Sequence, residues 1–120
     1  MRTLLFVCPH GAGKSRMAAA FFARVAPPGW EATSAGLDPG PELSPTAARL
    51  LAETDAAPHL DTAPPRSVAS VPSTSRIVGI DCSPPGMTER WDLGNQAFDT
   101  AMREEIRAQA ETLAANLGES

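Results

Sequence analysis

Apolar positions along the chain follow two different periods, and the places where one gives way to the other outline the elements. Thr3 to Cys8 is a short apolar run ended by Pro9 and Gly11, which predicts a buried strand with a turn behind it. From Ser15, the residues Met17, Phe21 and Val25 recur at helical spacing with alanines between them, until Pro27-Pro28-Gly29 stops the pattern. Trp30 to Ser34 alternates large and polar residues before Ala35-Gly36 and predicts a second strand. Ser44 followed by Pro45 supplies an N-cap and a favoured first helical residue, and Ala47, Leu50 and Leu51 form the stripe of a helix over about 44–54. Residues 55–74 carry several prolines and little periodicity, so a long surface connection is expected there, with a short helix near Arg66 to Ser70. Arg76 to Asp81 is another buried-strand run, ended by Pro84-Pro85-Gly86. Phe98, Met102, Ile106, Ala110, Leu113 and Leu117 mark one face of a last helix that stops at Gly118.

Strands alternating with helices predict an α/β fold with a parallel sheet covered on both faces, and ligands at the carboxyl ends of its strands. A length of 120 residues at 42% hydrophobic suits one domain over 1–120. The longest apolar run, Met17 to Ala23, is far short of the ~20 residues that span a bilayer, so no membrane partner is expected. The apolar stretch after Met1-Arg2 is too short for a signal-peptide core, and only two cysteines occur, which together predict a cytoplasmic protein with free thiols. Cys–His metal spacing is absent, so no metal and no cofactor are expected. A net charge of −4, with the basic residues scattered, argues against nucleic acid as a partner.

Candidate chemistry gathers in Cys8-Pro9-His10-Gly11-Ala12-Gly13-Lys14-Ser15, which joins a strand end to a helix start. Two glycines let backbone N–H groups converge on one point, and the helix start adds unpaired N–H groups and the positive end of its dipole. His10, Gly11, Ala12, Gly13, Lys14 and Ser15 are the expected oxyanion-binding residues, with Lys14 supplying a full charge. Cys8 sits at the base of that field, where its thiol should ionise more readily than the ~8.5 of a free cysteine allows, and Ser15 is placed to stabilise the sulfur as nucleophile and leaving group. A competing reading takes Gly11-Ala12-Gly13-Lys14-Ser15 as the end of a nucleotide-binding P-loop and Ile77 to Asp81 as its partner strand, although the first glycine of that motif falls where Cys8 stands.

Leu5-Phe6-Val7-Cys8, five residues, a basic residue, Ser15 and Met17-Ala18 resemble the opening of the low-molecular-weight tyrosine phosphatase and thioredoxin-type arsenate reductase family. Ser34-Ala35-Gly36, Cys82, Trp91 and Arg103-Glu104-Glu105-Ile106 continue the resemblance over nearly the whole chain. The resemblance implies a small three-layer fold with a four-stranded parallel sheet flanked by helices, of the phosphotyrosine phosphatase I-like kind. It also implies a phospho- or arseno-cysteine intermediate on Cys8, with Lys14 and Ser15 as the other catalytic residues. The expected partners are a phosphate, sulfate or arsenate-type oxyanion and a phosphorylated protein or small-molecule thiol.

Three departures from that pattern predict impaired turnover. Lys14 replaces the loop arginine, and a point charge lacks the planar fork that grips two oxygens. Gly11 replaces the loop asparagine. Asn95-Gln96 stands where the family carries its Asp-Pro general acid, leaving Asp92 and Asp99 as possible acids. A non-catalytic oxyanion-binding relative of the phosphatases is therefore the other expectation. Cys82 reads as a buried structural thiol or a resolving thiol, Arg16 as a surface residue or else as a cation that a shifted loop recruits, and Trp30 and Trp91 as core anchors.

Overall fold

The computed structural model describes residues 2–71, 74–94 and 98–118. Four strands, β1 (Arg2–Cys8), β2 (Trp30–Gly36), β3 (Arg76–Ile80) and β4 (Glu89–Trp91), form one parallel sheet in the order β2-β1-β3-β4. Three α-helices accompany it: α1 (Lys14–Val25), α2 (Pro45–Ala52) and α3 (Thr100–Gly118). The order reverses between β1 and β3, and in open α/β sheets a crevice for ligands forms at the carboxyl ends of strands at such a point. Here those ends belong to Cys8 and Ile80.

β1 is apolar without alternation because it is buried on both faces. Leu4, Phe6 and Cys8 face the larger core with Met17, Phe21 and Phe22 of α1, Leu51 of α2 and Met102 and Ile106 of α3. Leu5 and Val7 point the other way, to Ala35 and Cys82, under Val68 and Val71 of the long connection. Each buried phenylalanine of the larger core is worth roughly 1.5–3 kcal/mol relative to leaving it in water.

The helix after Ser44 is capped as expected, the Ser44 hydroxyl accepting from the Ala47 N–H at 3.3 Å. The short helix anticipated near Arg66 is one 3-10 turn at Val68–Ser70, and a second such turn at Ala57–His59 was not foreseen. α1 starts at Lys14 rather than Ser15, and Phe98 precedes α3 instead of belonging to it. β4 is invisible to periodicity because it is three residues long; its buried Trp91 packs 5.4 Å from Phe6 and donates its indole N–H to Glu89 at 2.7 Å. Trp30 is also buried, beneath the Arg2 guanidinium at 4.5 Å. Among the described residues no helix is long and apolar enough to cross a membrane.

Candidate active site

The loop from Cys8 to Gly13 is shaped by where its carbonyls go. The Cys8, Pro9, His10 and Ala12 carbonyls accept from the N–H groups of Leu37, Asp38, Gly40 and Ser44, at 3.3, 2.9, 3.0 and 2.8 Å. The Gly11 carbonyl accepts from Arg16 Nε at 3.0 Å, and the Gly13 carbonyl from the Met17 N–H of α1, also at 3.0 Å. With every carbonyl engaged, the loop's N–H groups are what remains for a ligand, and one of them, Gly11 N–H, is 3.2 Å from Cys8 Sγ.

Two glycines make this geometry possible. Gly11 has φ +65°, and a Cβ there would lie 2.5 Å from the Gly36 nitrogen. A Cβ on Gly36 would lie 2.4 Å from the His10 carbonyl carbon. Both positions exclude a side chain, so the loop from Cys8 to Gly13 and the end of β2 meet backbone to backbone.

Cys8 is buried, and its Sγ lies 3.1 Å from Ser15 Oγ, the thiol donating when protonated and the hydroxyl able to donate when the sulfur is a thiolate. A cavity of about 310 Å³ opens above, and Cys8, His10, Ala12, Gly13, Lys14 and Phe98 border it. Of the expected site residues, Gly11 and Ser15 stand behind this wall as supports, both buried. His10 is exposed and tied down through Nδ1, 3.1 Å from the Asp38 carbonyl.

Lys14 is not a free cation. Its Nζ lies 2.7 Å from Asp81 Oδ2, with both side chains mostly buried. Asp81 follows β3 directly and takes φ +56°, a left-handed conformation that aspartate tolerates better than most residues. Its other oxygen accepts from the N–H groups of Leu93 and Gly94 at 2.7 and 3.2 Å. Burial pushes the Asp81 carboxyl up, but the hydrogen bonds from Lys14, Leu93 and Gly94 outweigh it and hold the group below the ordinary carboxylate range.

Arg16 corrects the expectation of a surface role. It is 1% exposed and lies under the loop. Besides Gly11 it reaches the Asp61 carbonyl through Nη1, and Asp61 in turn pairs with Arg66 at 2.6 Å. Arg66 donates to the Ser34 carbonyl at 2.9 Å, so the long connection is riveted to β2.

Neither expected acid borders the cavity. Asp92 is exposed and bound to Arg90 Nε at 2.6 Å, while Asp99 caps α3 by accepting from the N–H groups of Ala101 and Met102 at 3.1 and 3.2 Å. Asn95 lies outside the described residues. Cys82 is buried in the smaller core, its Sγ 3.4 Å from the Val7 carbonyl, and burial together with the neighbouring Cys8 pushes its thiol up. Among the described residues no group of three His, Cys, Asp or Glu side chains is placed to hold a metal.

Sequence reasoning missed Asp81 as the partner of Lys14, Arg16 as a buried support and Phe98 as a cavity wall. A helix cap signalled Ser44, but only the tertiary fold sets its backbone against Ala12.

A parallel sheet of order 2-1-3-4, with a cysteine ending β1 under a glycine-rich loop, is the fold this chain shares with solved arsenate reductases and an arginine phosphatase. A thioredoxin-dependent arsenate reductase of Corynebacterium glutamicum superposes with a TM-score of 0.77 at 24% identity, over 97% of this chain and 61% of that one. The chain thus spans less than two thirds of that relative. An arsenate reductase of Archaeoglobus fulgidus superposes with a TM-score of 0.70 at 28% identity, over 98% of this chain and 99% of that one. An arginine phosphatase of Geobacillus stearothermophilus does so at 0.71 and 18% identity, over 98% and 93%. No protein-family model and no curated protein sequence matches the chain.

Proposed function

We propose that the chain acts on a tetrahedral oxyanion through Cys8, as a phosphomonoester hydrolase with slow turnover. The observation that carries this reading is the placement of Cys8 Sγ at the floor of an open cavity, with Gly11 N–H at 3.2 Å and Ser15 Oγ at 3.1 Å. The Cys8 thiolate attacks phosphorus, an S–P bond forms and the ester P–O bond breaks, and the leaving oxygen carries away the electron pair. Water then cleaves the S–P bond, releasing phosphate and restoring the thiolate. Loop N–H groups and Lys14 meet the charge on the three equatorial oxygens.

Two features support slow turnover. Lys14 shares its charge with Asp81, so an incoming dianion competes with a carboxylate for it. No carboxylic acid among the described residues borders the cavity, and a general acid is typically worth ~10²–10⁴-fold. Rates on a series of aryl phosphates should therefore depend steeply on leaving-group basicity, with activated esters favoured far above phosphotyrosine. Hydrolysis of phosphotyrosine at ordinary enzyme rates of about 1–10³ s⁻¹ would refute the slow-turnover reading.

Arsenate reduction is the second reading, favoured by Cys82, a second thiol whose ionisation is pushed up by burial and by the neighbouring Cys8. Arsenate joined to Cys8 would be released as arsenite when a second thiol attacks the sulfur, giving a disulfide that an external thiol must reduce. Arsenite formation from arsenate and a small-molecule thiol tests it. Stabilisation of the fold by sulfate or phosphate with no catalysis of either kind would leave an oxyanion-binding module, and stabilisation only by ATP with magnesium would favour the nucleotide reading.

A further inference from the structure

Arg16 is the largest fully buried side chain described, and its burial has no evident benefit for stability. Taking a guanidinium out of water is costly unless its donors are matched, and replacing a buried ionic group by apolar residues of similar volume is often neutral or stabilising. Here the matching is incomplete. Nε donates to the Gly11 carbonyl, Nη1 to the Asp61 carbonyl, and Nη2 is buried without a hydrogen-bond partner among the described residues. Among the described residues no carboxylate is hydrogen-bonded to it directly.

What the guanidinium does hold is the turn of the anion loop. Gly11 is left-handed at φ +65°, with its N–H on the Cys8 sulfur and its carbonyl on Arg16. In a trans peptide the carbonyl and the next N–H point in opposite directions, so drawing the Gly11 carbonyl down onto Arg16 turns the Ala12 N–H away from it. Ala12 borders the cavity. Gly11 has no side chain with which to brace the loop, and Arg16 bonds to the backbone at that same residue from below.

We infer that Arg16 is a positioning residue for the nucleophile, fixing the Gly11 turn from beneath the loop and adding a buried positive charge that favours the Cys8 thiolate. The charges of Asp61 and Cys8 act on Arg16 in the direction that keeps it protonated, against burial as the largest effect and against Arg66. The other charged or titratable groups about the site are Lys14 with its partner Asp81, His10 at the rim, and Cys82. Lys14 is paired with its own carboxylate, whereas among the described residues the hydrogen bonds of Arg16 go to backbone carbonyls.

The inference rests on Cys8 being the nucleophile, and its test needs no substrate. The rate at which iodoacetamide labels Cys8 at neutral pH is followed by mass spectrometry on the full chain, with Cys82 as the internal comparison. Arg16→Met should slow Cys8 labelling by about tenfold or more, the effect of losing a charge-assisted contact, and leave Cys82 labelling unchanged. Arg16→Gln, which keeps a donor and drops the charge, should also slow it, and it decides the matter if the Met variant does not fold. Arg16→Lys should recover part of the rate. Wild-type labelling of Cys8 in a folded Met or Gln variant overturns the inference and leaves Arg16 a space-filling residue. If labelling responds to Arg16 while neither aryl phosphates nor arsenate are turned over, the proposed function fails and the inference stands. Turnover of phosphates with labelling indifferent to Arg16 gives the reverse.

Discussion

The carboxyl ends of β1 and β3 are neighbours in the sheet, each is closely followed or finished by a buried cysteine, and the two sulfurs sit in different surroundings. Cys8 ends β1 on the side of the larger core, with a loop N–H and a hydroxyl on its sulfur and a cavity above it. Cys82 follows β3 by two residues, belongs to the smaller core and has the Val7 carbonyl as its sulfur's partner. A carbonyl can only accept, so it favours the protonated thiol, while an N–H can only donate and favours the thiolate. Burial alone therefore does not distinguish the two cysteines; the polarity of their partners does.

The comparison breaks most visibly by removing one sulfur. Cys8→Ser should abolish phosphocysteine formation in single-turnover labelling with an activated aryl phosphate, and Cys82→Ser should leave it intact. Loss of the label in the second variant would mean that the two strand ends act as one unit in the first chemical step.

A smaller but general effect is expected from Gly36→Ala, because the new methyl would collide with the His10 carbonyl and the Gly11 nitrogen. Overpacking of this kind costs about 1–3 kcal/mol, readable as a lower urea midpoint, and sulfate should cease to raise the thermal midpoint. Unchanged sulfate stabilisation would show that the backbone contact between loop and β2 is not needed for the site.

Lys14 and Asp81 sharpen the comparison from the β3 side. Lys14→Met should weaken sulfate binding by about 1–3 kcal/mol, while Asp81→Asn should strengthen it, because the carboxylate no longer competes for the ammonium. Calorimetric titration of both variants checks the opposite signs, and a loss in both would place Asp81 among the groups that orient Lys14 for the anion.

The pair also carries a pH signature. Asp81 is held below its unfolded value, near ~3.9, so its contribution is present above that pH and is lost as pH falls through the folded value. Urea midpoints should decline on acidification through about pH 4, and less so in Asp81→Asn. Cys82 is shifted upward, so its contribution is complete below the unfolded value near ~8.5 and fades as pH rises from there towards the folded one. Cys82→Ala should flatten that alkaline decline, the smallest of the effects expected here.

Much of this was legible in the sequence because strong periods reflect burial on known faces. β1, α1, β2, α2, β3 and α3 all stand where apolar spacing put them, within a residue or two at their ends, as did the cap at Ser44. β4 was not legible, since three residues cannot establish a period and its burial comes from one tryptophan. Within the site, Cys8 and the glycines were visible as a local motif, whereas Arg16 was masked by the rule that arginines lie at the surface. The small Ala20 one turn later, itself buried, was a hint that this side of α1 meets something close. Asp81 was hidden for another reason: its bond to Lys14 joins the end of β3 to the start of α1, which only the β1–β3 pairing brings together.

The carbonyls of the loop from Cys8 to Gly13 lead to a last consequence, which concerns folding rather than chemistry. Four of them are satisfied by the segment after β2, Leu37 to Ser44, and none of those bonds is local in the chain. The pocket is consequently a late product, absent from any species in which β1 and α1 have collapsed before β2 docks, because closing such long loops precedes the contacts that reward it. An oxyanion would then recognise only the finished sheet, and phosphate in the refolding buffer should slow unfolding while leaving the folding rate nearly unchanged.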